Sequence, residues 1–236
     1  MYKIIILVTI VCVIVYRYGF DFYIGLYGLA SIDKTNPFLS ISHRPSIKSL
    51  KKNWEIIRDE MIQAKDKFTG FSLKENFFGE RITNDKKWKK IYLNWYGKIP
   101  HYVPTLFPKT HKILSLFPDI KLAMFSRLEP GAIIKPHRGI FRGCIRVHVG
   151  LETPNSKECF ILLDGKKYYW RDGHVQSFDD TYEHEVHNNT DQPRTILFLD
   201  VEREMSGIVG WINKLLIQYV APYSKWINDD IHSDKL

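Results

Sequence analysis

From Lys121 to Glu204 the chain reads as a series of short strands, separated by turns rich in glycine, proline, asparagine and aspartate. Strands this short and this closely spaced bury their apolar faces by forming a sandwich or a barrel. Ile145–Leu151 alternates strictly, with Ile145, Val147 and Val149 on one face and Arg146 and His148 on the other. In Cys159–Trp170 the pair Asp164-Gly165 divides two apolar runs, a strong hairpin signal. Val175–Phe178 and Thr195–Val201 complete the set.

Helices flank this region. Ser49–Lys67 places Leu50, Trp54, Ile57, Met61 and Ala64 at steps of three or four and predicts one amphipathic helix. Thr110–Phe117 predicts another, stopped before Pro118. Trp88–Tyr96 fits a strand or a short helix. After Glu204 the helical period returns at Ile208, Trp211, Ile212, Leu215, Leu216, Tyr219 and Val220. That stretch is expected to pack on the barrel, with contact to a membrane surface as the alternative.

The N-terminus differs from the rest. Ile4–Tyr16 carries no charge and lies between Lys3 and Arg17. The run is short of the roughly 20 apolar residues that span a bilayer, but extending it through Phe20 with Arg17 snorkelling brings it near that length. An uncleaved single-pass anchor is expected. A cleaved signal peptide ending at the small residues Gly28–Ser31 is the rival, although Arg17 and Asp21 in the intervening stretch are atypical of one. One Lys on one side and one Arg on the other leave the side of the membrane unspecified. The expected division is an anchor over 1–30, a polar linker over 31–48, a helical and mixed part over 49–120, the strand region over 121–204, and a C-terminal helix and tail over 205–236.

Apolar residues make up 44% and charged residues 25% of the 236, which excludes wholesale disorder. The net charge of +8 favours an anionic partner such as lipid headgroups or an acidic substrate. No nucleic-acid-binding signature accompanies it, so no nucleic acid partner is expected. The three cysteines, Cys12, Cys144 and Cys159, lack metal-ligand spacing and leave a single Cys144–Cys159 bridge open.

Two histidines stand out by context. His137 lies in KPHRG after a Pro-Gly turn, and His184 lies in FDDTYEHEV before the last strand, which Arg194 opens ten residues later. Neutral imidazoles suit Fe(II), and a guanidinium grips a carboxylate bidentately. The order proximal His, distal His, then a basic residue opening the next strand is that of double-stranded β-helix iron oxygenases.

The blocks FSRLEPGAIIKPHRG (125–139), GCIRVHVGL (143–151), WRDGHVQSFDDTYEHEV (170–186) and RTILFLDVER (194–203) closely resemble the aspartyl/asparaginyl β-hydroxylase family. The DVER ending, the WRDG turn and LKKNWEIIRDEM (50–61) are most similar to its lipid A acyl-chain 2-hydroxylase branch. The resemblance implies a mainly β fold with flanking helices: a double-stranded β-helix of the jelly-roll or cupin kind. It implies Fe(II), 2-oxoglutarate and O2, with hydroxylation of an unactivated C–H bond in a lipid acyl chain or, alternatively, in a peptidyl Asp or Asn. His137 and His184 become metal ligands, Arg194 and Ser126 hold the distal carboxylate of 2-oxoglutarate, and Arg146 and His148 contact its other end or line its pocket.

One position departs from the common His-X-Asp motif: His137-Arg138 is followed by Gly139. The peptidyl-aspartate branch similarly has Gly there, whereas the lipid branch more often has Asp. Chloride filling the vacant position, as in related halogenases, ranks low. Asp179 and Asp180 are expected to serve a bend rather than to replace the ligand. Arg138 and Arg142 are equally suited to a substrate anion or to a solvated loop. His43, His101, His111, His174 and His232 read as structural or surface residues, and His187 as surface rather than supporting the metal ligands. A non-catalytic cupin-like binding protein is the alternative from a different class. The presence of Ser126, Arg146 and His148 beside the two histidines and Arg194 argues against it.

Overall fold

A computed structural model of the chain describes residues 36–70, 87–139 and 141–223. The expected anchor at 1–30 lies outside them. Among the described residues no helix is long and apolar enough to cross a membrane.

The strands are β1 (Phe38–Leu39), β2 (Thr69–Gly70), β3 (Trp88–Trp95), β4 (Ile120–Leu128), β5 (Ile133–His137), β6 (Cys144–Glu152), β7 (Cys159–Leu163), β8 (Lys166–Tyr169), β9 (Val175–Phe178), β10 (His184–Asn188) and β11 (Arg194–Glu202). They form a seven-stranded sheet in the order β1-β9-β6-β11-β4-β3-β2 and a four-stranded sheet in the order β5-β10-β7-β8. From β4 to β11 the chain passes back and forth between the two sheets, and every pairing is antiparallel. This is the double-sheet jelly roll that the strand pattern implied. The hairpin signal holds: β7 and β8 meet through Asp164 and Gly165, both at positive φ (47° and 74°), as a tight two-residue turn requires.

Strand alternation sorts the side chains of the larger sheet. Phe125, Ile145, Val147, Val149, Leu197 and Leu199 face outward, where they pack against helices α1 (Pro45–Lys52), α2 (Trp54–Gln63) and α4 (Pro108–Ser115). A short α3 (Val103–Leu106) leads into α4, and Phe107 between them sits edge-on to Phe125 at 5.2 Å. Burying side chains of this size contributes about 1.5–3 kcal/mol each, which makes this layer a main source of stability. The opposite face looks across the barrel. Leu128 and Ile196 meet Ile134, Ile161, Leu163 and Val186 of the smaller sheet, with Trp170 fully buried among them.

Three local features differ from expectation. The helix predicted over Ser49–Lys67 starts earlier, at Pro45, and is broken at Asn53. The Asn53 side chain donates to the Ser49 carbonyl at 2.8 Å, the local competition that makes asparagine a poor mid-helix residue. The linker expected over 31–48 is folded in from Phe38: β1 pairs with β9, and Ile41 and Ile47 join the core. The Cys144–Cys159 bridge does not form. Both thiols are free and buried, on strands of different sheets. The C-terminal stretch does form a helix, α5 (Gly207–Tyr219), and one side of it packs on the barrel as expected.

Candidate active site

β5 ends and β10 begins at one level of the smaller sheet, so the register places His137 directly opposite His184. Their ring centroids are 4.2 Å apart. The Nδ1–H of His137 donates to the Lys135 carbonyl at 2.7 Å, and that of His184 to the Tyr182 carbonyl at 2.9 Å. A carbonyl can only accept, so each ring keeps its proton on Nδ1 and presents the lone pair of Nε2 for ligation. Burial lowers both pKa values, and for His184, with His137 close by, the value falls to about 3. Both imidazoles are therefore neutral near pH 7, as metal ligation requires.

Across the barrel, the inward face of β11 carries Arg194, Ile196, Phe198 and Asp200. Ser126 stands beside Ile196 on β4, while His148 and Arg146 on β6 pair with Phe198 and Asp200. Arg194 is 2% exposed and lies 4.4 Å over the Trp170 ring. Burial pulls its pKa down to about 10, which still leaves it charged at neutral pH. Its Nε has no hydrogen-bond partner among the described residues. The same is true of His148 Nε2. Trp170 Nε1 donates to His148 Nδ1 at 3.4 Å, so the His148 proton sits on Nε2 and is available to donate. Burial, followed by the charges of Arg194 and Arg146, holds this imidazole well below its usual pKa. Ser126 Oγ accepts from Trp88 Nε1 at 2.9 Å and keeps its own hydrogen for another partner. A buried cation, an imidazole N–H and a hydroxyl hydrogen, with no carboxylate among them, suit a carboxylate.

Arg146 is committed elsewhere. Its Nε donates to Asp200 at 2.6 Å and its Nη2 to Asp180 at 2.7 Å, and its guanidinium lies 4.1 Å over Phe198. Burial works against its charge, but the two carboxylates outweigh that and keep it protonated. One guanidinium between two carboxylates leaves one negative charge in excess, and the Asp180 end of this trio interacts with His137. The neighbouring Asp179, shared by Arg142 and Arg203, carries the opposite excess, and burial raises the pKa of both Asp180 and Asp200.

Asp180 also explains the glycine. A Cβ on Gly139 would lie 2.3 Å from Asp180 Oδ2 and 2.6 Å from Oδ1, while the Gly139 N–H donates to the Asp180 carbonyl at 2.7 Å. The space next to His137 where a carboxylate side chain would start is thus filled by a carboxylate from the β9–β10 connection. Asp180 does not complete a ligand set: among the described residues no group of three His, Cys, Asp or Glu is arranged to hold a metal. Two neutral nitrogens with further positions open remain compatible with Fe(II).

Asp179 and Arg142 separate from their neighbours in role. Asp179 is fully buried and pairs with Arg142 at 3.0 Å and Arg203 at 2.9 Å, and its Oδ1 accepts from the backbone and hydroxyl of Thr181. Arg142 is thereby anchored to Asp179 while it also lines the cleft that reaches His184. Arg138 is exposed and lines a cleft of about 520 Å³ that reaches His184 and is also bordered by Tyr182 and Glu183. His187 stacks on Phe160 at 4.9 Å on the outside of the smaller sheet.

Residues 51–204 match the family model described as aspartyl/asparaginyl beta-hydroxylase. The chain belongs to that family. It is 31% identical over 155 residues to an ornithine lipid ester-linked acyl 2-hydroxylase of Rhizobium tropici, covering 65% of this chain and 55% of that protein. It is 32% identical over 160 residues to the human aspartyl/asparaginyl beta-hydroxylase, covering 66% of this chain and 21% of that one. The chain thus spans about half the length of the first and a fifth of the second. A Pseudomonas putida prolyl-4-hydroxylase structure aligns at a TM-score of 0.41 and 15% identity, over 64% of this chain and 88% of that one.

Within this family member, sequence reasoning brought His137, His184, Arg194, Ser126 and His148 into one barrel, and the structure gathers them there. It missed Trp88, Trp170 and Asp200, which orient Ser126, His148 and Arg146. The signal was present for one of them. Asp200 keeps the even spacing from Arg194 that puts both on one face.

Proposed function

We propose that this protein is an Fe(II)- and 2-oxoglutarate-dependent hydroxylase. The reading rests on one observation: two neutral imidazoles fixed through Nδ1 share a barrel with a buried guanidinium that has no carboxylate of its own. His137 and His184 are the metal ligands. Arg194, with the hydroxyl of Ser126 and the Nε2–H of His148, takes the distal carboxylate of 2-oxoglutarate. When bound, iron and 2-oxoglutarate supply the oxidising power: O2 is consumed, succinate and CO2 leave, and one oxygen atom enters a substrate C–H bond. The protein's part is to hold the ligand nitrogens unprotonated, to balance charge through the Arg146, Asp180 and Asp200 trio, and to exclude water with the ring wall of Trp170, Phe178 and Phe198.

The substrate we infer is the acyl chain of a membrane lipid, with the chain attached to the bilayer through residues 1–30. The apolar run Ile4–Tyr16, the net charge of +8 and the relative that hydroxylates an ornithine lipid support this. A second reading, hydroxylation of a peptidyl Asp or Asn, is favoured by Gly139 and by the human relative.

The test is succinate formation by the purified full chain supplied with Fe(II), 2-oxoglutarate and O2, compared with His184→Ala. Turnover that the variant loses supports the chemistry. A substrate panel of lipids against Asp- and Asn-containing peptides then separates the two readings. Equal succinate from both proteins, or iron retained equally by both, would refute the ligand assignment.

A further inference from the structure

Helix α5 carries a single charge, Lys214, among thirteen residues. One side is committed to the barrel: Gly210, Asn213, Leu216 and Ile217 are buried, and Asn213 Nδ2 donates to the Gly143 carbonyl at 3.1 Å. The other side is open. Ile208 is 68% exposed, Trp211 57% and Tyr219 42%. Positions 208, 211, 215 and 219 fall on one stripe of a helix, so this is a continuous apolar edge rather than scattered exposure.

The edge continues across a groove. A cavity of about 550 Å³ lies between α4 and α5, lined by Leu93, Leu114, Ile120 and Ile217. On its α4 side stand Ile99, 45% exposed, and Leu116, 66% exposed. Lysines outnumber acids around this surface. Residues 96–118 and 205–223 include Lys98, Lys109, Lys112 and Lys214 with His101 and His111 and no Asp or Glu, while Asp119 and Glu204 border these segments and Glu60 holds the α4 N-terminus. The one carboxylate that reaches the groove, Glu202, is paired with Lys121 at 2.8 Å.

We propose that this α4–α5 face is a docking surface for an anionic lipid bilayer. Ile99, Leu116, Ile208, Trp211 and Tyr219 enter the interfacial layer, and Lys109, Lys112 and Lys214 meet the headgroup phosphates. Trp and Tyr are the side chains that settle at headgroup depth, and an apolar stripe edged by lysine is the pattern of a helix lying in that plane. A second copy of the same face is the poorer occupant, because a two-fold contact would bring the exposed lysines of one copy toward those of the other. The surface also adjoins the candidate site. Phe141 packs with Leu216 and Ile212, and Gly143 is held by Asn213, so α5 braces the loop that follows His137. This inference stands on the surface alone and does not depend on the proposed chemistry.

The experiment uses the full chain with Cys12→Ser, so that a solvatochromic label reaches only an introduced cysteine; Cys144 and Cys159 are buried. The label is placed by Gln218→Cys, on the α5 stripe, or by Lys166→Cys on the distant β7–β8 turn. With phosphatidylglycerol vesicles the label at 218 should shift to the blue and brighten roughly two-fold or more, with a much smaller response to phosphatidylcholine. The label at 166 should not respond. Lys112→Glu combined with Lys214→Glu should weaken the phosphatidylglycerol response by roughly 25-fold or more in apparent affinity, without changing thermal unfolding. Because the apolar run within residues 1–30 is itself able to carry the chain onto vesicles of either kind, flotation alone does not count. A silent label at 218 on vesicle-bound protein overturns the proposal, as does an equal response at 166. A label already shielded without vesicles, in a protein that sediments as a dimer, assigns the face to self-association and overturns it as well.

Discussion

Arg203 and Arg194 are both almost fully buried arginines, on opposite ends of the same strand. Arg203 follows the end of β11 and meets the carboxylate of Asp179, which also holds Arg142. Arg194 opens β11 and lies over an indole, with its Nε unpartnered. A buried charge without a counter-charge costs several kcal/mol, so a fold keeps one only where something else uses it. Arg203 shares a carboxylate with Arg142 and serves the architecture. Arg194 has no ion-pair partner among the described residues, as the proposed carboxylate ligand requires. The same residue type, equally buried, thus carries opposite meanings, and the difference lies in the partner rather than in the burial.

The comparison breaks first at Asp179. Asp179→Ala removes the carboxylate that two buried guanidiniums share, and the expected loss is about 3–5 kcal/mol of stability. Thermal unfolding followed by circular dichroism should drop by roughly 6–20 °C. A drop of only about 2 °C would mean that water already compensates these charges.

Arg194→Met should behave the opposite way. Replacing an unpaired buried cation with an apolar side chain of similar length leaves stability unchanged or raises it. Binding of 2-oxoglutarate should weaken by about 2–5 kcal/mol, the cost of truncating one side of a buried charge pair. Titration calorimetry on the iron-loaded protein reads this directly. An unchanged affinity would remove Arg194 from its assigned role, and a large loss of stability would place it with Arg203.

The contrast between these arginines also marks what could be read from sequence. Alternation in β6 put Arg146 and His148 on one face without any structural help, because a strand's period is local. The Asp164-Gly165 turn and the helix at Gly207–Tyr219 were legible for the same reason. The pairing partners were not. Asp179 and Asp180 are adjacent in sequence, yet one neutralises Arg142 and Arg203 while the other reaches Arg146 and Gly139. Nothing local distinguishes them, since the choice is made by partners more than twenty residues away. The break at Asn53 was missed because the apolar spacing from Leu50 to Met61 continues through it, while a side-chain hydrogen bond interrupts the helix.

Gly139→Asp sharpens the point from the metal side. The new Cβ would collide with the Asp180 carboxylate, and a second negative charge would join the excess already beside Arg146. Overpacking of this kind costs about 1–3 kcal/mol. Adding Asp180→Gly should recover most of that loss and return a carboxylate to the position after His-X. Unfolding curves of the two single variants and the double variant measure the coupling, and iron content per chain shows whether the transferred carboxylate ligates. Strict additivity would mean that the two positions do not compete for the same space.

The smallest effect is expected at Trp88, which donates to Ser126 and packs on the cluster that holds Trp170. Trp88→Phe keeps most of the ring volume and removes one donor at 2.9 Å from Ser126 Oγ. The hydroxyl stays in place but is free to rotate, so the loss is that of a single neutral hydrogen bond, about 0.5–1.5 kcal/mol. If Ser126 helps Arg194 hold a carboxylate, that loss appears as a several-fold weaker 2-oxoglutarate affinity in the iron-loaded protein, with little change in unfolding temperature. If Ser126 serves only the strand, the same cost appears in the unfolding temperature, and the affinity does not move. The two outcomes place Ser126 beside Arg194 or beside Arg203 in the comparison.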